Sequence, residues 1–249
     1  MEKIKVFDAR IQYGRPFLGS EPERTVAEEL RMADAERAVI VSREFAWLTP
    51  QRANEIVDAQ IASCPGAWGL RAMYSALNGE MEPVEVQCRT FREKRIAGFW
   101  LHPDELGVPR DPIMYRDELA ECERRRIPVF FHKDYPNTYE YLLAILRDHP
   151  NLTVVLSTDE EWPTSRKLYP ILKAFPNVYL CISEQVWMGA MEDMVRLFGS
   201  ERLLYSSSWP NRYPGGSVMM VTAADITDAD RENIFCKNME RLIGGMICD

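Results

Sequence analysis

Short apolar runs alternate with amphipathic stretches along the chain, and this pattern predicts alternating β-strands and α-helices. The runs Arg37–Val41 and Ile96–Leu101 are continuous and rich in β-branched or aromatic residues, which is typical of strands that are buried on both faces. Between such runs, apolar residues recur at helical spacing, as Val26, Leu30 and Ala33 do. The chain therefore reads as repeated strand and helix units.

Eight such units can be counted, and they indicate an α/β fold. The predicted strands are Ile4–Phe7, Arg37–Val41, Ala67–Met73, Ile96–Leu101, Val129–Phe131, Leu152–Leu156, Val178–Ile182 and Arg202–Tyr205. The predicted helices are Thr25–Ala35, Thr49–Ser63, Pro83–Arg95, Tyr115–Arg126, Thr138–Asp148, Ser165–Ala174, Gly189–Phe198 and Asp228–Ile243. We predict a single (β/α)8 TIM barrel that spans residues 1–249 as one domain. A doubly wound open sheet is the competitor, but no glycine-rich phosphate turn follows the first strand, where Asp8–Ser20 is predicted to be a loop.

The amino-acid composition limits which binding partners and which cellular environment are expected. The formal net charge of -8 argues against nucleic acid, which needs clustered Lys and Arg. The six cysteines are scattered without a C-x-x-C pair, so we expect reduced thiols in a cytoplasm, with neither a zinc site nor disulfides. No apolar run reaches membrane-spanning length, and no signal peptide is expected. A homo-oligomer is left open.

The residues just past each strand converge on one rim of such a barrel, where the chemistry of these folds is placed. His132 ends the fifth strand, in PVFFHKDYP, and it is one of only three histidines. Its ring suits transfer of a proton near neutral pH. The other candidate site residues on the rim are Arg10, Gln12, Arg71, His102, Thr158, Asp159, Ser208 and Trp209. This polar and aromatic set predicts a small anionic or polar substrate.

Several segments together resemble the amidohydrolase superfamily, in particular the amidohydrolase-related group of lactonases and decarboxylases. The resemblance runs through VFDARIQYG, ERTVAEELRMADAERAVIV, IAGFWLHP, PVFFHKDYP, HPNLTVVLS, RLLYSSSWP and NMERLIGG. It covers nearly the whole chain, and it implies a TIM barrel that hydrolyses a small molecule.

The resemblance also implies a metal site, and here the sequence departs from the family. Members usually carry a His-x-His pair after strand one, a histidine after each of strands five and six, and an aspartate after strand eight. The matching positions are Arg10, Gln12, His132, Thr158 and Ser208, so one of five is kept. Arg10 is a permanent cation that would repel a metal ion. We therefore predict no metal and no other cofactor.

Three of the predicted site residues leave alternatives open. Burying the guanidinium of Arg10 is costly unless an anion pairs with it. Arg10 therefore either clamps a substrate carboxylate or forms an internal pair with Asp8, Asp159 or Glu184, and Arg71 has the same two readings. His102 either reaches the pocket or caps the turn after strand four.

The leading hypothesis is a metal-independent hydrolase of an ester, lactone or amide in a small carboxylated or polyhydroxylated molecule. In this scheme Arg10 and Arg71 hold the anionic group, and His132 handles a proton. Asp159 orients His132 or activates water. The competing hypothesis is a catalytically inactive barrel that binds a metabolite or a protein partner, because one fold hosts many functions.

Overall fold

A computed structural model describes residues 5–14, 24–104, 107–133, 138–158, 165–183, 185 and 187–249. Within these residues eight parallel strands form one sheet in sequential order, from β1 to β8. Their bounds are Phe7–Tyr13 (β1), Arg37–Ser42 (β2), Ala67–Ala72 (β3), Ile96–Leu101 (β4), Val129–Lys133 (β5), Val154–Thr158 (β6), Val178–Cys181 (β7) and Leu203–Leu204 (β8). This order and direction are those of the predicted TIM barrel.

The sheet curls until its first strand meets the segment that follows its last. The amide of Ala9 donates to the carbonyl of Tyr205 at 2.8 Å, and the amide of Gln12 donates to the carbonyl of Trp209 at 2.9 Å. Ile11 and Trp209 form a parallel bridge. These contacts close the barrel, so that residues at the ends of all eight strands share one rim.

Helices follow the strands and cover the outside of the barrel. They are Val26–Met32 (α1), Pro50–Ala62 (α2), Val84–Gln87 (α3), Arg116–Arg125 (α4), Thr138–Asp148 (α5), Ser165–Ala174 (α6), Ala190–Phe198 (α7), Pro214–Thr222 (α8), Asp228–Glu232 (α9) and Asn238–Gly244 (α10). Thr25 and Glu28 form a reciprocal capping box that begins α1. Pro50 begins α2, at a position where the helix needs no hydrogen bond from its backbone nitrogen. Strand β4 is buried along its full length, as its continuous apolar run predicts.

The first strand is where the prediction is wrong. The strand runs from Phe7 to Tyr13, whereas the sequence predicts a strand that ends at Phe7 and a loop from Asp8. Asp8, Arg10 and Gln12 are polar and imitate a loop, but the backbone of this stretch pairs with β2 and with the segment after β8. Polar side chains are tolerated in this strand because they occupy the mouth of the barrel.

Three helical segments also differ from the prediction. The predicted helix Pro83–Arg95 is one turn of α-helix followed by a 3-10 turn over Cys88–Thr90. The predicted terminal helix is interrupted by a π-helical turn over Asn233–Lys237. Helix α8 is not predicted, because PGG at its start reads as a turn. Among the described residues, no helix is long and apolar enough to cross a membrane.

Candidate functional site

An irregularity in β1 aims Arg10 into the barrel. Asp8 pairs with Ala38, but Ile11 pairs with Ile40, so three steps along β1 match two along β2. A bulge of this kind changes which face the following side chains point to. The amide of Arg10 donates to the Asp8 carboxylate at 2.9 Å within the irregular stretch. Arg10 is 3% exposed, so its guanidinium is almost fully removed from water.

Arg10 meets His132 across the barrel. Strands β1 and β5 lie opposite each other in an eight-stranded barrel, and Nη2 of Arg10 is 2.9 Å from Nε2 of His132. A guanidinium has only donors, so Nε2 of the imidazole must accept this hydrogen bond. The ring proton is then on Nδ1, which lies 2.8 Å from Oγ and 3.2 Å from the carbonyl oxygen of Ser157.

The hydrogen bonds of Arg10 are incomplete. Its Nε and Nη1 atoms are buried and have no hydrogen-bond partner among the described residues. Its guanidinium forms no ion pair with the Asp8 carboxylate, which accepts backbone N–H groups instead. A buried cation with donors to spare is costly, and an oxyanion would satisfy it. The predicted internal pair with Asp8 is not formed, and the other two predicted partners, Asp159 and Glu184, lie outside the described residues.

Asp8 supplies the other charge on this side of the barrel. Its carboxylate is fully buried and accepts from the amides of Arg10 and Ser207. Burial raises the pKa of Asp8 from an ordinary 3.8 to about 7, although the Ser207 and Arg10 hydrogen bonds and the Arg10 charge act in the opposite direction. Asp8 therefore gains its negative charge near neutral pH, and the net charge around Arg10 changes there.

Aromatic rings form the wall beside His132. Trp100 stacks on His102 with ring centroids 5.6 Å apart and an angle of 10° between the planes. On the same tryptophan, His132 stacks at 6.3 Å. His102 is buried and lines a small cavity of about 10 Å³ together with His132 and Tyr141. His102 therefore lies beside Trp100 and His132 at this end of β4, and its part in binding stays a prediction.

The last strands contribute neutral groups to the rim. Oγ of Ser208 lies 2.8 Å from Oγ of Ser183, and Ser208 has a φ of 54°, which residues other than glycine seldom adopt. Thr158 is fully buried and accepts from the side-chain amide of Gln185 at 3.5 Å. Half-buried Gln12 accepts from Asn211 at 3.1 Å. These predicted residues are hydroxyls and amides, with no charge among them.

Two predicted binding residues point elsewhere. Arg71 faces helix α2, where its guanidinium donates to the carbonyl of Asn54 at 3.1 Å and pairs with Asp58 at 2.5 Å. Gly69, two residues earlier, faces Val57 of the same helix, as strand alternation requires. The indole N–H of Trp209 donates to Glu29, which follows Glu28 in α1. Among the described residues, neither side chain forms a hydrogen bond, an ion pair or a ring contact with Arg10 or His132.

Asp159 is the second residue that the sequence predicts to be catalytic. Asp159 lies outside the described residues, so its role stays a prediction. Ser157, which bonds His132, is absent from the sequence-based set. Its pairing follows from the register that sets His132 beside Ser157 on β5 and β6. No motif in the sequence signals that register.

The side chains at the family's metal-ligand positions do not fit a metal ion. Arg10 sits on Nε2 of His132, the nitrogen that a cation would otherwise approach, and its charge would repel the ion. Gln12, Thr158 and Ser208 offer only neutral oxygen or amide donors. In the part of the chain that the structure describes, no group of three or more His, Cys, Asp or Glu side chains could hold a metal. Metal independence itself stays a prediction.

Comparisons with known proteins agree on the architecture. A family model described as amidohydrolase matches residues 9–245, and no curated protein matches the chain. An uncharacterized TIM-barrel protein from Bordetella bronchiseptica is similar at 20% identity and a TM-score of 0.69, over 97% of this chain and 99% of that one. Among the other similar structures, 2,6-dihydroxybenzoate decarboxylase from Rhizobium has 14% identity and a TM-score of 0.70, over 98% and 99%. The 5-carboxyvanillate decarboxylase of Sphingomonas paucimobilis has 11% identity and a TM-score of 0.71, over 97% and 99%. At these sequence identities the structural similarity confirms the TIM barrel and gives no information about the substrate.

Proposed function

We propose that this chain, which belongs to the amidohydrolase family, hydrolyses an ester, lactone or amide bond in a small carboxylated or polyhydroxylated molecule without a metal ion. The observation that carries the proposal is the buried guanidinium of Arg10, which has two unpartnered nitrogens beside the imidazole of His132. The names of the two decarboxylases, which refer to carboxylated aromatic molecules, support a carboxylated substrate.

Arg10 would bind the anionic group. One of its five N–H groups is used by His132, while Nε and Nη1 are unused. Nε and Nη1 lie on different edges of the guanidinium, so a carboxylate can take one hydrogen bond from either of them, or two parallel ones from Nη1 and the second N–H of Nη2. Such charge-assisted bonds are stronger in a buried site than in water. Trp100 and His102 offer flat surfaces for the rest of the molecule.

His132 would transfer the proton. When the substrate anion draws the guanidinium of Arg10 away, Nε2 regains its lone pair and can take a proton from water as the water oxygen bonds to the carbonyl carbon. The tetrahedral intermediate then collapses, and Nε2–H returns the proton to the departing oxygen or nitrogen. Asp159 is proposed to orient His132 or to activate the water, and the neutral groups of Gln12, Thr158 and Ser208 to line the pocket.

A second candidate function rests on the same contact. In the observed arrangement Arg10 occupies the lone pair of His132 Nε2, so His132 is not free to act as a base. A barrel that binds a small anion at Arg10 without turning it over would keep this bond permanently. The two candidates share the ligand and differ in whether the Arg10 and His132 contact opens.

The compartment is also a proposal. All six cysteines are free and buried, which suits the reducing conditions of a cytoplasm.

The test of function is a hydrolysis screen with carboxylated esters, lactones and amides. For any substrate found, His132→Asn should lower turnover by about 100- to 10,000-fold, the usual contribution of a positioned acid or base, with little change in affinity. Asn can still accept from Arg10, so the fold is expected to survive. Unchanged turnover in His132→Asn would defeat the mechanism, and a ligand that binds but is never cleaved would favour the inactive barrel.

A further inference from the structure

Ser157 is the side chain that holds the far side of the His132 ring. Strands β5 and β6 are paired so that His132 and Ser157 are direct neighbours. Both oxygens of Ser157 lie near Nδ1, with Oγ at 2.8 Å and the carbonyl oxygen at 3.2 Å. Ser157 is 4% exposed, so water competes little for this contact.

We infer that Ser157 is a positioning residue, whose oxygens accept Nδ1–H of His132 and keep Nε2 directed toward Arg10 and the bound substrate. The inference rests on the proposed function for its catalytic consequence. The orientation of the ring, in contrast, can be measured without any substrate.

The need for Ser157 arises when Arg10 turns to the substrate. While Arg10 donates to Nε2, the guanidinium alone fixes the Nδ1–H tautomer, because it has no acceptor to offer. Once that bond opens, the contacts at Nδ1 hold the proton there and leave Nε2 as the base. The carbonyl oxygen of Ser157 can only accept, so a ring with its proton on Nε2 would lose that contact, whereas the hydroxyl can accept from Nδ1–H or reverse and donate to a bare Nδ1. The carbonyl therefore favours the Nδ1–H tautomer, and the hydroxyl, at the shorter distance, holds the ring in place.

The position of Ser157 on a central strand makes the support rigid. His132 and Ser157 both sit within paired strands and not on loops, so the distance between them is set by the sheet. A neutral hydroxyl differs from a carboxylate in this role because it brings no negative charge. We therefore expect Ser157 to affect the tautomer and the orientation of the ring and to leave anion binding at Arg10 unchanged.

The test uses a matched pair of substitutions in an Arg10→Met background, which imitates the open state. Ser157→Thr keeps the hydroxyl and Ser157→Val replaces it with a methyl group of similar size, and both residues suit a strand. The chain contains three histidines, so long-range ¹H–¹⁵N NMR of histidine-labelled protein resolves each ring, and His132→Asn assigns the signals. Ser157→Ala, which adds no atoms, gives the same comparison if the larger residues do not fold.

In Arg10→Met and in Arg10→Met/Ser157→Thr we expect His132 to remain the Nδ1–H tautomer. In Arg10→Met/Ser157→Val the carbonyl still accepts Nδ1–H but the hydroxyl contact is lost, so exchange of the Nδ1 proton with solvent should be about 3- to 10-fold faster than in Arg10→Met/Ser157→Thr, the contribution of one buried hydrogen bond. Equal exchange rates in the Thr and Val variants, or an Nε2–H ring in Arg10→Met alone, would overturn the inference. With a substrate in hand, Ser157→Val in the otherwise unchanged protein should lower kcat by about tenfold at constant KM. If no substrate is hydrolysed, the proposed function fails while the NMR comparison still decides the role of Ser157.

Discussion

Two buried arginines, Arg10 and Arg71, differ in how completely the protein satisfies their charge. Both are nearly removed from water, at 3% and 6% exposed, and both lie in β-strands. Arg71 pairs with the Asp58 carboxylate and a backbone carbonyl. Arg10 has one neutral acceptor, His132, and two nitrogens without a partner among the described residues.

The difference lies in what completes each side chain. Arg71 is neutralised inside the protein, where it ties β3 to α2 and needs nothing else. Arg10 is buried at a cost that the described residues do not offset, and this is the observation behind the proposal that it binds an anion. Burial alone does not distinguish the two arginines, whereas their satisfied hydrogen-bond donors do.

The largest expected effect concerns Asp8, the carboxylate nearest in sequence to Arg10. Because its pKa is raised from 3.8 to about 7 by burial, the folded state holds a proton that the unfolded state releases between these values. Stability should therefore fall as pH rises from about 4 to 7. Because Asn does not ionise, Asp8→Asn should reduce this pH-dependent decrease in the free energy of unfolding by up to about 4 kcal/mol.

Urea unfolding of the parent and of Asp8→Asn at pH 4 to 8 measures this effect. Asp117→Asn serves as the control, since its carboxylate is exposed in α4. Parallel stability curves for the parent and Asp8→Asn across this range would contradict the raised pKa.

A smaller effect is expected at Arg71. Arg71→Met should lower the free energy of unfolding by about 1 to 3 kcal/mol, because Asp58 loses its closest partner. The loss is limited because the Asp58 side chain is 32% exposed and keeps Lys94 at 2.9 Å. Lys94→Met, which removes the exposed partner of the same carboxylate, should cost less than about 1 kcal/mol. Equal losses in both variants would show that burial of Arg71 adds nothing.

The smallest expected effect is that of metal ions. The guanidinium of Arg10 stands against Nε2 of His132, so zinc or manganese should neither copurify in stoichiometric amounts nor raise the melting temperature when added. Elemental analysis and thermal unfolding with and without a chelator measure both quantities. One tightly held metal ion per chain would refute the reading of Arg10 as the replacement of a metal ligand.

The sequence predicts the barrel well because its evidence is repeated eight times, in apolar runs such as Ile96–Leu101. It predicts β1 poorly because polar residues such as Asp8 and Gln12 imitate a loop. It also groups Arg71 with Arg10, since which face a side chain takes depends on strand alternation and on the bulge before Ile11. Ser157 becomes visible only through the register between β5 and β6, which no local pattern encodes.

The most direct test of the central claim is calorimetric titration of one small carboxylate, the tightest ligand from a thermal-shift screen, into the parent, Arg10→Met and Arg71→Met. Arg10→Met should lose about 100-fold in affinity, as expected for two charge-assisted hydrogen bonds, whereas Arg71→Met should stay within about twofold of the parent. Equal affinity in the parent and Arg10→Met, or equal losses in the two variants, would contradict the assignment of Arg10 as the anion-binding residue.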